Sequence, residues 1–315
     1  MNGSYFIDLF CGGGGSGLGI LAAGYPSLGI DNDPECVTAY KDNVGEAECA
    51  DITHLNPYRF PPPLGIVASP PCQQWSQIRS RTQVTRVDAE IGLAVRLWVK
   101  FLKPQVFILE NVPHYRESRS FRVLTEELTQ VGYRVCSQVI NLAEYGVPQS
   151  RQRLFLWATR TGVLPLLPPP QPVSGWYAVI CDLIPGLAPS ALIPQQVEAV
   201  ESYLRKLKPD EPLHLLVERC GRRSDRPIII RAANEPCWTL RVGNCFRPTA
   251  INYVHVQSGG QLDSRSLSIQ ALARLQTFPN NYQWSEKPEI NGRILGNSVP
   301  PKFMEMLVRQ LTAHL

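Results

Sequence analysis

Residues 4–19 read Ser-Tyr-Phe-Ile-Asp-Leu-Phe-Cys-Gly-Gly-Gly-Gly-Ser-Gly-Leu-Gly. The apolar run up to Phe10 has the composition of a buried strand, the glycines after Cys11 form a tight turn, and a helix is predicted to continue through Ile20 to Ala23. A second short strand is predicted to end at Asp31. Asp33-Pro34-Glu35 then supplies an N-cap and a first-turn proline for the next helix. Strand, glycine-rich turn, helix, strand is the opening of a nucleotide-binding α/β fold. Further strands are predicted at 64–69, 105–110, 133–140 and 153–159, with helices at about 88–103 and 119–131. Alternation of this kind predicts a doubly wound, mostly parallel sheet.

The alternation stops near residue 160. Five prolines between Leu164 and Pro172 exclude regular interior structure and predict a linker. Residues 161–262 are expected to form a smaller, irregular domain inserted in the first, so that 1–160 and 263–315 together make the larger one. A helical period returns at Leu267, and a last amphipathic helix is predicted over about 301–313.

A chain of 315 residues can bury a full core, and 44% hydrophobic with 18% charged residues excludes a disordered polymer. The formal charge of +4 fits a polyanionic partner. Nine cysteines without a CxxC pair, and five histidines without HxE or HxxxH spacing, argue against a metal site and a disulfide framework. No apolar run reaches the roughly 20 residues of a membrane span, and no leader pattern precedes the first strand. A cytoplasmic location is expected, nucleoid-associated in a prokaryote.

Residues 69–76, Ser-Pro-Pro-Cys-Gln-Gln-Trp-Ser, follow the apolar run Gly65-Ile-Val-Ala68. Most intracellular cysteines are small buried hydrophobes. Paired prolines, however, exclude helix at the preceding position, so Cys72 sits on a stiff loop at a strand's carboxyl end, where α/β folds present reactive groups. Asp31, 23 positions after Asp8, suits a carboxylate that binds ribose hydroxyls, which indicates a nucleoside-containing cofactor. Arg151 and Arg153 alternate, so at the start of a strand they would share a face.

Asp8-Leu-Phe-Cys-Gly-Gly-Gly14, Asp51-Ile52, Pro70-Pro-Cys-Gln73, Glu110-Asn-Val112, Gln149-Ser-Arg-Gln-Arg153, Arg274-Leu-Gln-Thr-Phe-Pro279 and Gly296-Asn-Ser-Val299 occur in that order. With this set the sequence resembles the carbon-5 cytosine DNA methyltransferase family over nearly its whole length. The exception is about 160–262, where that family carries a variable target-recognition region.

The resemblance implies the Rossmann-like fold of S-adenosylmethionine-dependent methyltransferases. It also implies methyl transfer to carbon 5 of a cytosine flipped out of duplex DNA through a covalent cysteine adduct. Cys72 is then the nucleophile and Glu110 the proton donor to the ring. Arg153 is expected beside the cytosine's exocyclic oxygen, and Arg151 as support for the intermediate or nearby backbone. For S-adenosylmethionine the pattern carries over to Phe10, Gly12, Gly14, Asp31, Asp51, Ile52, Asn297 and Ser298. Asn32 stands where the family often has an aromatic or aliphatic residue, so adenine packing falls to Ile52.

Arg79, Arg81 and Arg86 are placed to meet phosphates beside the flipped base, and Gln74 to fill the vacated space. Sequence choice is expected from the inserted region, including Arg222, Arg223, Thr239 and Arg241. A monomer is expected, either accompanied by a restriction endonuclease sharing the site or acting as a solitary methylase. The alternative substrate is cytosine in transfer RNA. The branch that methylates it carries Cys-Phe-Thr where this chain has Cys245-Phe-Arg247. An NAD-linked oxidoreductase leaves Pro70-Pro-Cys-Gln73 without a role, and a binding protein that had lost catalysis would have lost Cys72, Glu110 or Arg153.

Overall fold

The computed structural model of the chain describes residues 4–71, 81–160, 162–207, 213–218, 228–245, 251–257 and 261–315; the side chains of residues 81–88 and 244 lie outside the description. In chain order the elements are β1 (Phe6–Leu9), α1 (Gly15–Ala22), β2 (Ser27–Asp31), α2 (Pro34–Asn43), β3 (Ala47–Cys49), β4 (Gly65–Ala68), α3 (Arg81–Leu102), β5 (Val106–Asn111), α4 (Arg119–Gln130), β6 (Arg134–Asn141), β7 (Gln149–Ser150) and β8 (Gln152–Thr159). They continue with α5 (Tyr177–Ile180), α6 (Pro194–Leu207), β9 (Leu213–Glu218), β10 (Ile229–Ala232), β11 (Cys237–Trp238), α7 (Val242–Cys245), β12 (Ile251–Val256), β13 (Leu262–Ser266), α8 (Ile269–Leu275), α9 (Pro288–Asn297) and α10 (Pro301–Thr312). The chain forms two compact units: Met1–Leu142 with Arg151–Pro170 and Ser298–Leu315, and Ala143–Ser150 with Gln171–Asn297. The sequence division at 160 and 262 follows motif boundaries, whereas these units follow packing.

The first unit is built on one sheet of order β3-β2-β1-β4-β5-β8-β6. β1 pairs in parallel with β2 and β4, β2 with β3, and β4 with β5, while β8 runs antiparallel to both β5 and β6. The expected doubly wound, mostly parallel sheet is therefore present. Every residue of β1, β4 and β5 is buried, as strands covered on both faces require. One face carries Ile7, Leu9, Leu109 and Leu154 in a core with Trp98 and Val95 of α3 and Leu124 and Leu128 of α4. On the other face Phe155 packs on Phe303 of α10 at 4.6 Å between ring centres. Full burial of each such side chain stabilises the fold by about 1.5–3 kcal/mol. Asp33 caps α2, accepting the Glu35 N–H, with Pro34 in the first turn as the sequence predicts.

Strand order reverses between β1 and β4, since β2 and β3 lie to one side of β1 and β4 and β5 to the other. Ligands of open α/β sheets bind at the carboxyl ends of the strands at such a reversal. The glycine-rich turn leaves β1 there, and the Pro70-Pro71 turn leaves β4 there.

The second unit corrects the expectation of irregular structure. It holds an antiparallel sheet of order β10-β9-β12-β13 and the 14-residue helix α6. Leu215, Val217, Val254 and Val256 meet Val200 of α6 in a core of their own. The alternation of Leu213, Leu215 and Val217 with His214, Leu216 and Glu218 is period-two patterning, and Val200, Tyr203 and Leu204 follow helical spacing. High arginine and proline content concealed both signals.

Candidate active site

The turn after β1 is set by backbone geometry. Gly14 has φ +94°, a left-handed conformation that side chains disfavour. Gly15 opens α1 against the C-terminal segment of the same unit, where an added Cβ would stand 2.5 Å from the Val299 carbonyl oxygen and 2.7 Å from Ser298 Cβ. Phe10 takes φ +60°, which costs a non-glycine residue about 1–3 kcal/mol and is found mostly at working sites. Over Gly12 no atom of the described residues lies within 4 Å of a Cβ position, so among them the backbone is open.

Asp31 ends β2 beside this turn. Its Oδ2 accepts the Gly12 N–H at 2.9 Å and its Oδ1 accepts the Asp33 N–H at 2.9 Å, which fixes the carboxylate while a lone pair on each oxygen stays available. The Asp31 carbonyl accepts the Ala50 N–H at 2.9 Å and so brings the Asp51-Ile52 segment alongside. The backbone N–H and hydroxyl of Thr53 hold the Asp51 carboxyl below the usual carboxylate range. Ile52 is 4% exposed and belongs to the core, and Asn32 is exposed. Asn297 is the exposed last residue of α9, in the second unit, and Ser298 begins the last segment of the first. An open glycine backbone, a fixed carboxylate and the Asp51-Ile52 segment fit a nucleoside-bearing cosubstrate.

Asp8 lies beneath the turn, fully buried. Burial pushes its carboxyl well above the ordinary range and the charge of Asp31 adds to this, while the backbone N–H of Gly17 pulls the other way. Among the described residues neither Asp8 oxygen has a hydrogen-bond partner at ordinary geometry.

Glu110 and Asn111 end β5, two polar residues closing a run of apolar ones, and both are buried. Glu110 Oε1 lies 3.1 Å from Arg153 Nε, with side-chain exposures of 8% and 15%. Burial raises the Glu110 pKa, and the Arg153 and Arg151 guanidinium groups oppose that. A carboxyl balanced in this way can hold a proton or release it without leaving the site. β8 pairs with β5 so that Glu110 stands opposite Phe155, which sets Arg153 beside the carboxyl. Arg151 is 1% exposed, and its guanidinium donates to the Ser298 carbonyl at 3.1 Å.

The sequence motifs include Asn111 without assigning it a task. Its Nδ2 donates to the Pro70 carbonyl at 3.0 Å and its Oδ1 accepts the Val112 N–H at 2.8 Å, both within the buried strand end. The Ser69 N–H also donates to the Leu9 carbonyl at 3.2 Å. The chain that runs into Cys72 is thus tied to the ends of β1 and β5. A buried amide directly after Glu110 was the available signal. Cys72, Gln74 and Arg79 lie outside the described residues, as do Arg222 and Arg223; Arg81 and Arg86 are on α3 with side chains outside the description.

In the second unit, Thr239 Oγ1 donates to the Ser150 carbonyl at 2.8 Å. Arg241 is paired with Glu218 at 2.9 Å, where the carboxylate is 2% exposed and the arginine side chain 55%. Gln149 and Gln276 are buried completely and bonded to each other. Sequence reasoning gave no task to Glu218, Gln149 or Gln276, because a buried polar partner far away in the chain leaves no local pattern. Among the described residues no group of three or more His, Cys, Asp or Glu is placed to hold a metal, and no helix is long and apolar enough to cross a membrane.

The family model of the C-5 cytosine-specific DNA methylases matches residues 4–173 and 199–313. The chain belongs to that family, which makes it a methyltransferase directed at carbon 5 of cytosine in DNA. It is 27% identical over 344 aligned positions to the Type II methylase M.HgiDII of Herpetosiphon aurantiacus, covering 98% of this chain and 95% of that protein. It is also 27% identical to the Type II methyltransferase M.MthTI of Methanothermobacter thermautotrophicus, over 98% and 97% of the two chains. Among solved structures it resembles the Entamoeba histolytica methyltransferase EhMeth, with TM-score 0.69, 15% identity and 99% of both chains covered. The S. pombe Dnmt2 methyltransferase is similar, with TM-score 0.66, 18% identity and 98% of both chains covered. At such identities the structural likeness speaks for the fold.

Proposed function

We infer that the chain transfers a methyl group from S-adenosylmethionine to carbon 5 of a cytosine flipped out of a specific duplex DNA sequence, through a covalent adduct with Cys72. The observation that carries this reading is the end of β5, where Glu110 is buried against Arg153 and the next residue, Asn111, holds the Pro70 carbonyl of the turn leading to Cys72.

Carbon 5 of cytosine is too weakly nucleophilic to take a methyl group unaided. Attack of the Cys72 thiolate forms a bond from sulfur to carbon 6 and moves an electron pair into the ring. Glu110 gives a proton to ring nitrogen 3, which neutralises the charge as it develops. The neighbouring Arg153 takes up the carboxylate left behind and reaches the exocyclic oxygen. Carbon 5, now enamine-like, accepts the methyl group; loss of its proton to a solvent-linked base, departure of the thiolate and return of the nitrogen 3 proton to the Glu110 carboxylate restore the ring.

Asp31 would bind ribose hydroxyls, the Gly12 and Gly14 turn would pass close under the cosubstrate's methionine part, and Asp51, Ile52, Asn297 and Ser298 would complete its site. When bound, the cosubstrate supplies an electrophilic methyl on a sulfonium. The second unit is read as the target-recognition part, with Thr239 and Arg241 among its DNA contacts and Arg79, Arg81 and Arg86 meeting phosphates from the other unit.

The test is a duplex carrying 5-fluorocytosine at the methylated position. Fluorine at carbon 5 blocks the last elimination, so the wild type is expected to give a denaturation-resistant protein–DNA adduct and Cys72→Ser none. A wild type that methylates the ordinary duplex but forms no adduct refutes the thiolate mechanism.

A further inference from the structure

Gln149 lies two residues before Arg151 and is 0% exposed, as is Gln276. A primary amide without partners in such a place costs free energy, whereas a leucine would fill the space at no polar cost. Here the amides are matched. Gln149 Oε1 accepts the Leu240 N–H at 3.0 Å, and its Nε2 donates to Gln276 Oε1 and, at 3.4 Å, to the Leu275 carbonyl. One side chain therefore joins three segments that are far apart in the sequence.

The backbone repeats the connection. β7 and β11 form a parallel ladder of two residue pairs, Gln149 with Cys237 and Ser150 with Trp238. The Cys237 N–H donates to the Pro148 carbonyl at 3.0 Å, and the Thr239 hydroxyl donates to the Ser150 carbonyl at 2.8 Å. A ladder this short specifies its register weakly, since a slip by one residue turns every side chain to the opposite face. The bond from the Gln149 amide to Leu240 resists that slip, as buried polar groups do when fully matched. Beyond the ladder, one strand carries Thr239 and Arg241, and the other continues through Ser150 into Arg151 and Arg153.

We propose that Gln149 is a positioning residue that fixes the register of the Thr239–Arg241 segment against the chain entering Arg151 and Arg153, so that binding of the correct DNA sequence is linked to placement of the arginines that hold the target base. It touches no substrate and acts through Leu240 and Ser150. The proposal rests on the DNA methylation read above and adds how sequence recognition and catalysis are joined.

The methylated sequence is first read by bisulfite sequencing of DNA from cells expressing the wild type. Single-turnover methylation of that duplex, and of duplexes with one base pair changed, is then measured for wild type, Gln149→Leu and Gln149→Glu. Rates are normalised to active sites counted by adduct formation on 5-fluorocytosine duplex. Gln149→Leu is expected to lower the rate on the correct duplex about 10–100-fold and to narrow the ratio of correct to altered duplex at least about 10-fold, with S-adenosylmethionine affinity within about twofold of wild type. Gln149→Glu keeps the acceptor for Leu240, and a turned Gln276 amide can donate to it, so most of the ratio is expected to return.

A residue that only supports the fold would reduce the count of active sites and leave the rate per site and the ratio unchanged; that result overturns the proposal. If Gln149→Leu gives no folded protein, Gln149→Met, which keeps a flexible side chain of similar length and removes the oxygen that accepts from Leu240, is measured in its place and must narrow the ratio. A wild type that methylates no DNA defeats the functional reading itself. A wild type that does, with unchanged ratios in the variants, defeats only the coupling.

Discussion

Replacement of Asn111 by leucine tests how the nucleophile's turn is held. The side chain is 2% exposed and makes two hydrogen bonds, to the Pro70 carbonyl at 3.0 Å and from the Val112 N–H at 2.8 Å. Leucine fills similar volume and leaves both backbone groups without these partners. Each orphaned buried group costs about 1–3 kcal/mol, so the expected loss is about 2–6 kcal/mol of a total of about 5–15. Asn111→Asp keeps the acceptor for Val112 and, while its carboxyl is protonated, can also donate to the Pro70 carbonyl, so a smaller loss is expected at low pH, growing as the carboxyl ionises and the donor disappears. The Pro70 carbonyl lies two residues before Cys72, and misplacement of a reacting group by about 1 Å costs roughly 100-fold in rate. Urea unfolding gives the stability, and single-turnover methylation with sites counted by adduct formation gives the rate of the folded fraction. Asn111→Leu is expected to be about 100-fold slower per active site with S-adenosylmethionine binding retained. A variant that loses stability but methylates within twofold of wild type would refute the idea that Asn111 aligns the turn.

Glu110→Gln retains the shape of the carboxyl without its proton transfer, and is expected to reduce methyl transfer about 100–10,000-fold in single-turnover assays. Because burial raises the Glu110 pKa, the wild-type rate should fall as pH rises through that value, and a flat profile up to the alkaline limit would contradict the role of Glu110. Asp8 holds its proton more tightly folded than unfolded, where a carboxyl titrates near 3.8, so stability should fall as pH rises from about 4 through the folded value and level off above it. The slope reaches at most about 1.4 kcal/mol per pH unit, and Asp8→Asn should remove it in urea titrations across pH. Arg241, oriented by the buried Glu218, is expected to read guanine; Arg241→Lys should then relax discrimination at one base pair by about 1–3 kcal/mol in competition assays. Uniform weakening on all sequences with a smaller salt slope would instead identify a phosphate contact.

The fold was legible where one segment carries its own pattern. Residues 4–19 alone foretell β1, the turn and α1, and Asp33-Pro34 foretells the start of α2 within a residue. Glu110 and Arg153 could be named from their motifs, but that they meet at 3.1 Å depends on β8 pairing antiparallel with β5, which follows from tertiary register and not from local spacing. The same limit hid Asn111, Glu218, Gln149 and Gln276, whose partners lie between 23 and 127 positions away. In the second unit the strands β9 and β12 alternate legibly, yet their pairing across 32 intervening residues gave no sequence signal. Gly15 shows the converse case: its sequence context suggests a flexible turn, and its structural reason is close contact with Val299.

The central claim is transfer of a methyl group to carbon 5 of cytosine in duplex DNA. Incubation of the full chain with methyl-labelled S-adenosylmethionine, duplex DNA and transfer RNA, followed by nucleoside analysis of each nucleic acid, tests it most directly. Label in 5-methyldeoxycytidine from the DNA is the predicted result; label confined to 5-methylcytidine from the RNA, or to another nucleoside, would contradict it.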